Sequence, residues 1–94
     1  MTNVIFSGSV SAQVTTGEIV TITITAPDST TETLEATTLA DTTFSVSKNI
    51  TIPGDYSAMF HIDADAQFTA ANVGPIPFTI GLQLRTLTVK VTVV

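Results

Sequence analysis

Pro53-Gly54-Asp55-Tyr56-Ser57-Ala58-Met59-Phe60-His61-Ile62-Asp63 is the stretch on which the fold turns. Proline and glycine set a tight turn. From there the side chains alternate. Tyr56, Ala58, Phe60 and Ile62 fall on one face of a strand, and Ser57, Met59, His61 and Asp63 on the other. A Gly-x-Tyr opening a strand is the pattern of a tyrosine corner in a two-sheet sandwich. The ring enters the core and the hydroxyl bonds back to the preceding loop. Gly54, Tyr56, Ala58 and Phe60 are therefore expected to be structural.

The segments on either side keep the same period. In Val20-Thr21-Ile22-Thr23-Ile24-Thr25 the aliphatic residues share one face and the threonines the other. One dry and one wet face point to an antiparallel sheet, with Ile22 at the centre of the dry side. Val4 to Val14 reads as a strand, or as two hinged at Gly8. Thr31 to Thr37 is a polar strand with Leu34 and Ala36 inward, and its two glutamates suit an edge. Phe44, Val46, Ile50 and Ile52 are expected inward, with Phe68 folding back to cap the core. Ile76 to Ile80 is a further strand, and Pro75 and Pro77 restrict it to an edge. Turn residues recur about every 8–12 positions, and helical periodicity of useful length is absent.

Composition bounds the function. The chain has 94 residues, one domain's worth, with 44% hydrophobic and only 12% charged residues. Threonine and serine cover the surface where charge is missing. The net charge is −5 and only Lys48, Arg85 and Lys90 are basic. That leaves no basic patch for nucleic acid. No cysteine is present, which excludes disulfides, thiolate metal sites and cysteine nucleophiles. No apolar run approaches the ~20 residues that span a bilayer, so membrane insertion is not expected. The first residues carry no signal-peptide pattern.

Three pieces resemble the bacterial and archaeal Ig-like domains found in tandem in large surface proteins. Gly17-Glu18-Ile19-Val20-Thr21-Ile22-Thr23-Ile24 is similar to that family's "aGetVtvtvt" strand. Pro27-Asp28-Ser29-Thr30-Thr31 with Ala40-Asp41-Thr42-Thr43-Phe44-Ser45-Val46 is similar to "pdGtt…dadGtFsv". Gly54-Asp55-Tyr56-Ser57-Ala58, running on to Phe78-Thr79-Ile80-Gly81, resembles "aGtYtvta…ftvg". The likeness covers residues 8 to 81. It implies an immunoglobulin-like, Greek-key antiparallel β-sandwich and a non-catalytic spacer, adhesion or assembly role. Ser29 and Thr42 stand where the family has glycine, so those turns are expected to be built differently.

Beyond Gly81 the family pattern ends, yet residues 85–94 alternate almost without fault. Leu87, Val89, Val91 and Val93 point one way, and Thr86, Thr88, Lys90 and Thr92 the other. Such a strand seeks a partner. It pairs within the domain, adds to the edge of another subunit, or starts a linker to a next repeat. The first is favoured, because consecutive strands usually neighbour one another.

Chemistry-bearing residues are few. His61 is the only histidine, and without a nucleophile or second base in a motif it makes no triad. A solvated or interface position is the simpler reading. Asp63 and Asp65 could hold Ca²⁺ with loop carbonyls, completed by Asp41 or Asp55. The plain alternative is a solvated loop that caps its own backbone. Glu32 and Glu35 lie on opposite faces of one strand and make no glycosidase pair. The aromatic residues are expected in the core, and the absence of tryptophan weakens a sugar-stacking platform. The sequence therefore predicts one non-enzymatic sandwich domain on a cell or virion surface. Its partners are proteins, self or neighbouring domains, with Leu87, Val89, Val91 and Val93 as the candidate interface. The alternative is an adhesion module binding a glycan or Ca²⁺.

Overall fold

A computed structural model describes residues 2–82, 85 and 87–93. Its described residues form six strands and no helix. They are β1 (Thr2–Ser9), β2 (Ile19–Thr25), β3 (Thr31–Thr37), β4 (Thr43–Ile50), β5 (Gly54–Ile62) and β6 (Ala71–Ile80). All neighbours are antiparallel. One sheet has two strands, β1-β4, and the other four, β3-β2-β5-β6. The chain is an all-β sandwich.

The core follows from the alternation. Phe6, Phe44 and Ile50 of the small sheet face Val20, Ile22, Ile24, Ala36, Tyr56, Ala58 and Ile80 of the large one. Ile22, at the centre of β2, is fully buried. Phe6 meets Phe78 edge-on at 5.7 Å and Phe60 at 6.5 Å, and Phe44 lies 6.1 Å from Phe60. Aromatic rings in these tilted arrangements join the two layers. The tyrosine corner is present. The Tyr56 hydroxyl donates to the Ile52 carbonyl at 2.7 Å, and its buried ring stacks on Phe78 at 5.4 Å.

Gly54 is required where β5 starts. Its φ is +142°, and a Cβ there would stand 2.5 Å from the Pro27 ring. The loops after β2 and β3 are near copies of each other. In one, Ser29 N–H donates to Ala26 and Asp28 accepts from the Thr30 amide and hydroxyl. In the other, Thr42 N–H donates to Leu39 and Asp41 accepts from the Thr43 amide and hydroxyl. Ser29 has φ 69° and Thr42 φ 68°. The expectation that these turns depart from the glycine geometry is thus corrected. The backbone keeps the left-handed conformation with a serine and a threonine in place.

Other expectations change too. β1 ends at Ser9 and runs through Gly8 without a hinge. Gly8 leaves room for the Phe44 ring, whose Cζ would be 2.9 Å from an added Cβ. Ile52 follows the end of β4 and is exposed. Phe68 is 39% exposed rather than a lid. β6 begins at Ala71, five residues before the strand expected there. The extra C-terminal strand is not seen. Arg85 and Leu87–Val93 belong to no strand and are exposed, while Thr86 and Val94 lie outside the described residues. The expected return of this segment into its own sheet does not occur among the described residues.

The dimensions agree. The radius of gyration is 19.0 Å and the long axis 79 Å. A compact chain of this length would have a radius of gyration of roughly 12 Å. Arg85 and Leu87–Val93 stand off the body as an arm.

Candidate functional site

The two long sides of the sandwich differ. On one side β3 approaches β4, and the Lys48 ammonium bridges to Glu32 with contacts of 2.7 and 2.8 Å. The ion pair spans that side, and a recess of about 430 Å³ lies beside it, lined by Ile24, Thr31, Glu32, Lys48 and Ile50. On the other side, β1 and β6 border an open groove of about 480 Å³. Gly8, Val10 and Phe44 line it from one layer, and Phe60, Val73 and Ile76 from the other.

The groove exists because two strands cannot cover four. Val73 and Ile76 pair with Phe60 and Ala58, which puts them on the inner face of the large sheet. Nevertheless Val73 is 58% and Ile76 44% exposed. A buried-facing valine and isoleucine without a cover form an apolar seam.

The edges bordering the seam are unlike. β6 carries Pro75 and Pro77. Proline in a sheet sits where its missing N–H faces away from the ladder, so Pro75 and Pro77 remove two donors from the outer side of β6. β1 is free of charge and of proline (Thr-Asn-Val-Ile-Phe-Ser-Gly-Ser). Among the described residues, no strand pairs with its side away from β4. Of the two remaining outer strands, β3 carries Glu32 and Glu35 and β4 carries Lys48, charges that discourage strand addition.

Acidic groups gather at the Ser9 end of the seam, where Glu18, Asp63 and Asp65 all line the groove. His61 bridges there. Its Nδ1 meets the Asn72 Oδ1 at 2.5 Å and its Nε2 the Asp63 Oδ1 at 2.7 Å. Both partners accept, the Asn72 contact weighing most, so the imidazolium is favoured and the pKa is raised above 6.5.

The carboxylates considered for Ca²⁺ are turned to other work. Asp63 lies against His61, and Asp65 accepts from the Gln67 and Phe68 amides, each at 2.8 Å. Those amides hold the Asp65 carboxyl below its usual range. Asp55 accepts from Thr79 at the far end of β5, about 26 Å from Asp63 along an extended strand. Asp41 stays in its own turn. The described residues include no group of three or more His, Cys, Asp or Glu placed to hold a metal ion.

Of the residues singled out from sequence, Ile22, Tyr56, Ala58 and Phe60 lie in or against the core, and half-buried Gly54 opens β5 against Pro27. Leu87, Val89, Val91 and Val93 lie bare on the arm, each at least 72% exposed. Val73, Ile76 and Gly8 were not legible as a site, because their exposure depends on how many strands the opposite layer has. Thr38 was missed as well. It is fully buried, and its hydroxyl accepts from the Glu18 amide at 3.0 Å. In a chain this rich in threonine nothing marks one of them.

Comparison with protein-family models, with characterised proteins and with solved structures gives no match to this chain.

Proposed function

We propose that this chain is a non-catalytic, immunoglobulin-like structural module of a cell or virion surface that assembles by β-strand addition. The observation that carries this reading is the arm. Seven consecutive residues, Leu87–Val93, extend from the body with alternating apolar and polar side chains, exposed and in no strand. Leaving four aliphatic side chains in water forfeits about 1.5–3 kcal/mol each relative to burial. An exposed strand of this kind is either an aggregation hazard or a docking element. The tyrosine corner and the threonine-rich, weakly charged surface support the immunoglobulin-like assignment. The adhesion alternative rests on Asp63 and Asp65, whose hydrogen bonds within the chain compete with a cation.

The test is sedimentation of the full chain and of the variant V89E/V91E over a concentration series. The wild type is expected to gain mass with concentration, and the variant to stay monomeric with an unchanged melting temperature. Two outcomes overturn the reading: a wild type that is monomeric throughout, or a variant that unfolds. The latter would place those valines in the domain's own core.

A further inference from the structure

We propose that the seam between β1 and β6 is the acceptor for the arm of a second copy, which adds antiparallel to β1. This rests on the assembly reading above and names its partner, edge and direction.

Shape and chemistry match first. The arm's Leu87–Val93 run is seven residues and β1 is eight. Laid beside β1, the arm would turn one face toward Val73 and Ile76, which lack a cover, and its threonines and Lys90 outward. In an antiparallel pair, residues directly opposite share a face. β1 turns Val4, Phe6 and Gly8 inward, so the inward arm residues fall opposite them. Leu87 pairs with Gly8, Val89 with Phe6 and Val91 with Val4. Leu87 thus falls beside Gly8, where the Phe44 ring lies over the backbone and offers it an apolar surface.

Charge sets the direction. Residues 1 to 82 contain eight acidic groups and one basic one, a net of −7, while the arm carries Arg85 and Lys90, a net of +2. The acidic groups of the groove lie at the Ser9 end of β1. Antiparallel addition puts Arg85 opposite Val10, beside Glu18, Asp63 and Asp65. Parallel addition would put it at the Thr2 end, away from them.

Geometry then requires a second copy. Phe6 meets Phe78, whereas Gly8 to Ala12 share the groove with Ala71 and Val73. β1 and β6 therefore run in opposite directions. A strand antiparallel to β1 runs alongside β6 in the same sense, starting near Ala71. The chain's own arm leaves from Ile80, at the other end. Returning to the start of β6 means covering about 30 Å of strand. The five steps from Ile80 to Arg85 span at most about 18 Å. A molecule cannot fill its own seam in this direction, but a neighbour can. Each copy then gives an arm and receives one, reciprocally in a closed pair or head to tail in a ring or filament.

The chain has no cysteine, so introduced thiols report cleanly. Ile5, exposed on β1, falls opposite Lys90 in this register. Full-length I5C and K90C are mixed and oxidised. A disulfide-linked heterodimer is expected, because directly opposite residues lie about 4.5–5.5 Å apart, within disulfide range. T88C and T92C should link to I5C in lower yield, being about 7–8 Å off. Preference for either overturns the register. Linkage of K90C to T79C on β6, with none to I5C, overturns the edge while leaving arm-driven assembly standing. Linkage within the single chain of I5C/K90C, at dilutions where the mixed variants give none, overturns the second copy as occupant. If the wild type never associates, the assembly reading falls with it.

Discussion

Thr42 holds a left-handed backbone with φ 68°, a conformation that costs an ordinary L-residue about 1–2 kcal/mol. Asp41 accepts from the amide and hydroxyl of Thr43 rather than from Thr42, so the turn's hydrogen bonds survive a change at 42. Glycine gives back about 0.5–1 kcal/mol through the entropy of its unfolded chain. Thr42→Gly is therefore expected to stabilise the domain by about 0.5–1 kcal/mol, seen as a melting temperature several degrees higher. An unchanged or lower melting temperature would mean the side chain contributes something that the hydrogen bonds do not reveal. The glycine pattern of these turns was legible in the sequence at Asp28 and Asp41. What could not be read was that serine and threonine would accept the glycine geometry. His61 gives a second residue-scale expectation. Its folded pKa is raised by Asn72 first and by Asp63 second. The stability from these contacts is complete below the unfolded value of about 6.5 and is lost as pH rises through the folded value. Proton NMR should show the ring titrating above 6.5, and D63N should lower that midpoint. A midpoint at or below 6.5 would mean the two contacts do not form in solution.

Strands differ in how well they are held. β2 is paired on both sides, by β3 and β5, and β5 by β2 and β6, whereas β1 has β4 alone among the described residues. Local opening follows pairing and burial. In the monomeric V89E/V91E variant, amides of β2 and β5 should exchange with deuterium slowest and those of β1 clearly faster. In assembled wild type the β1 amides should slow. Equal rates in β1 and β2 of the monomer would show that the open side is not a weakness. Alternation made the faces of β2 and β5 readable residue by residue. It failed at Ile52, where β4 has ended and parity no longer assigns a side. It failed at Gly8 because a glycine in a strand marks either a bend or a close approach, and here the Phe44 ring decides for the second. The Gly74-Pro75 break hid the first half of β6. Gly74 sits at φ +121°, with Ala58 carbonyl oxygen 2.7 Å from where a Cβ would be. The strand continues across it by a bulge opposite Met59.

At the scale of the molecule, the sandwich was legible and its incompleteness was not. Six alternating segments identify two layers, but nothing local says that four strands fall in one and two in the other. The arm was legible as a strand of high quality, while its partner was not, because pairing within the chain and between chains leave the same pattern in sequence. The candidate Ca²⁺ site failed to assemble for a related reason. Asp55 and Asp63 stand at the two ends of one strand, a separation that a list of acidic residues does not display. One feature reaches beyond contact distance. A body of one sign and an arm of the other make each molecule an electric dipole along its 79 Å length. In dilute salt such molecules turn head to tail before they meet. At 0.1 M salt the field reaches only about 10 Å, and the encounter becomes a matter of chance orientation.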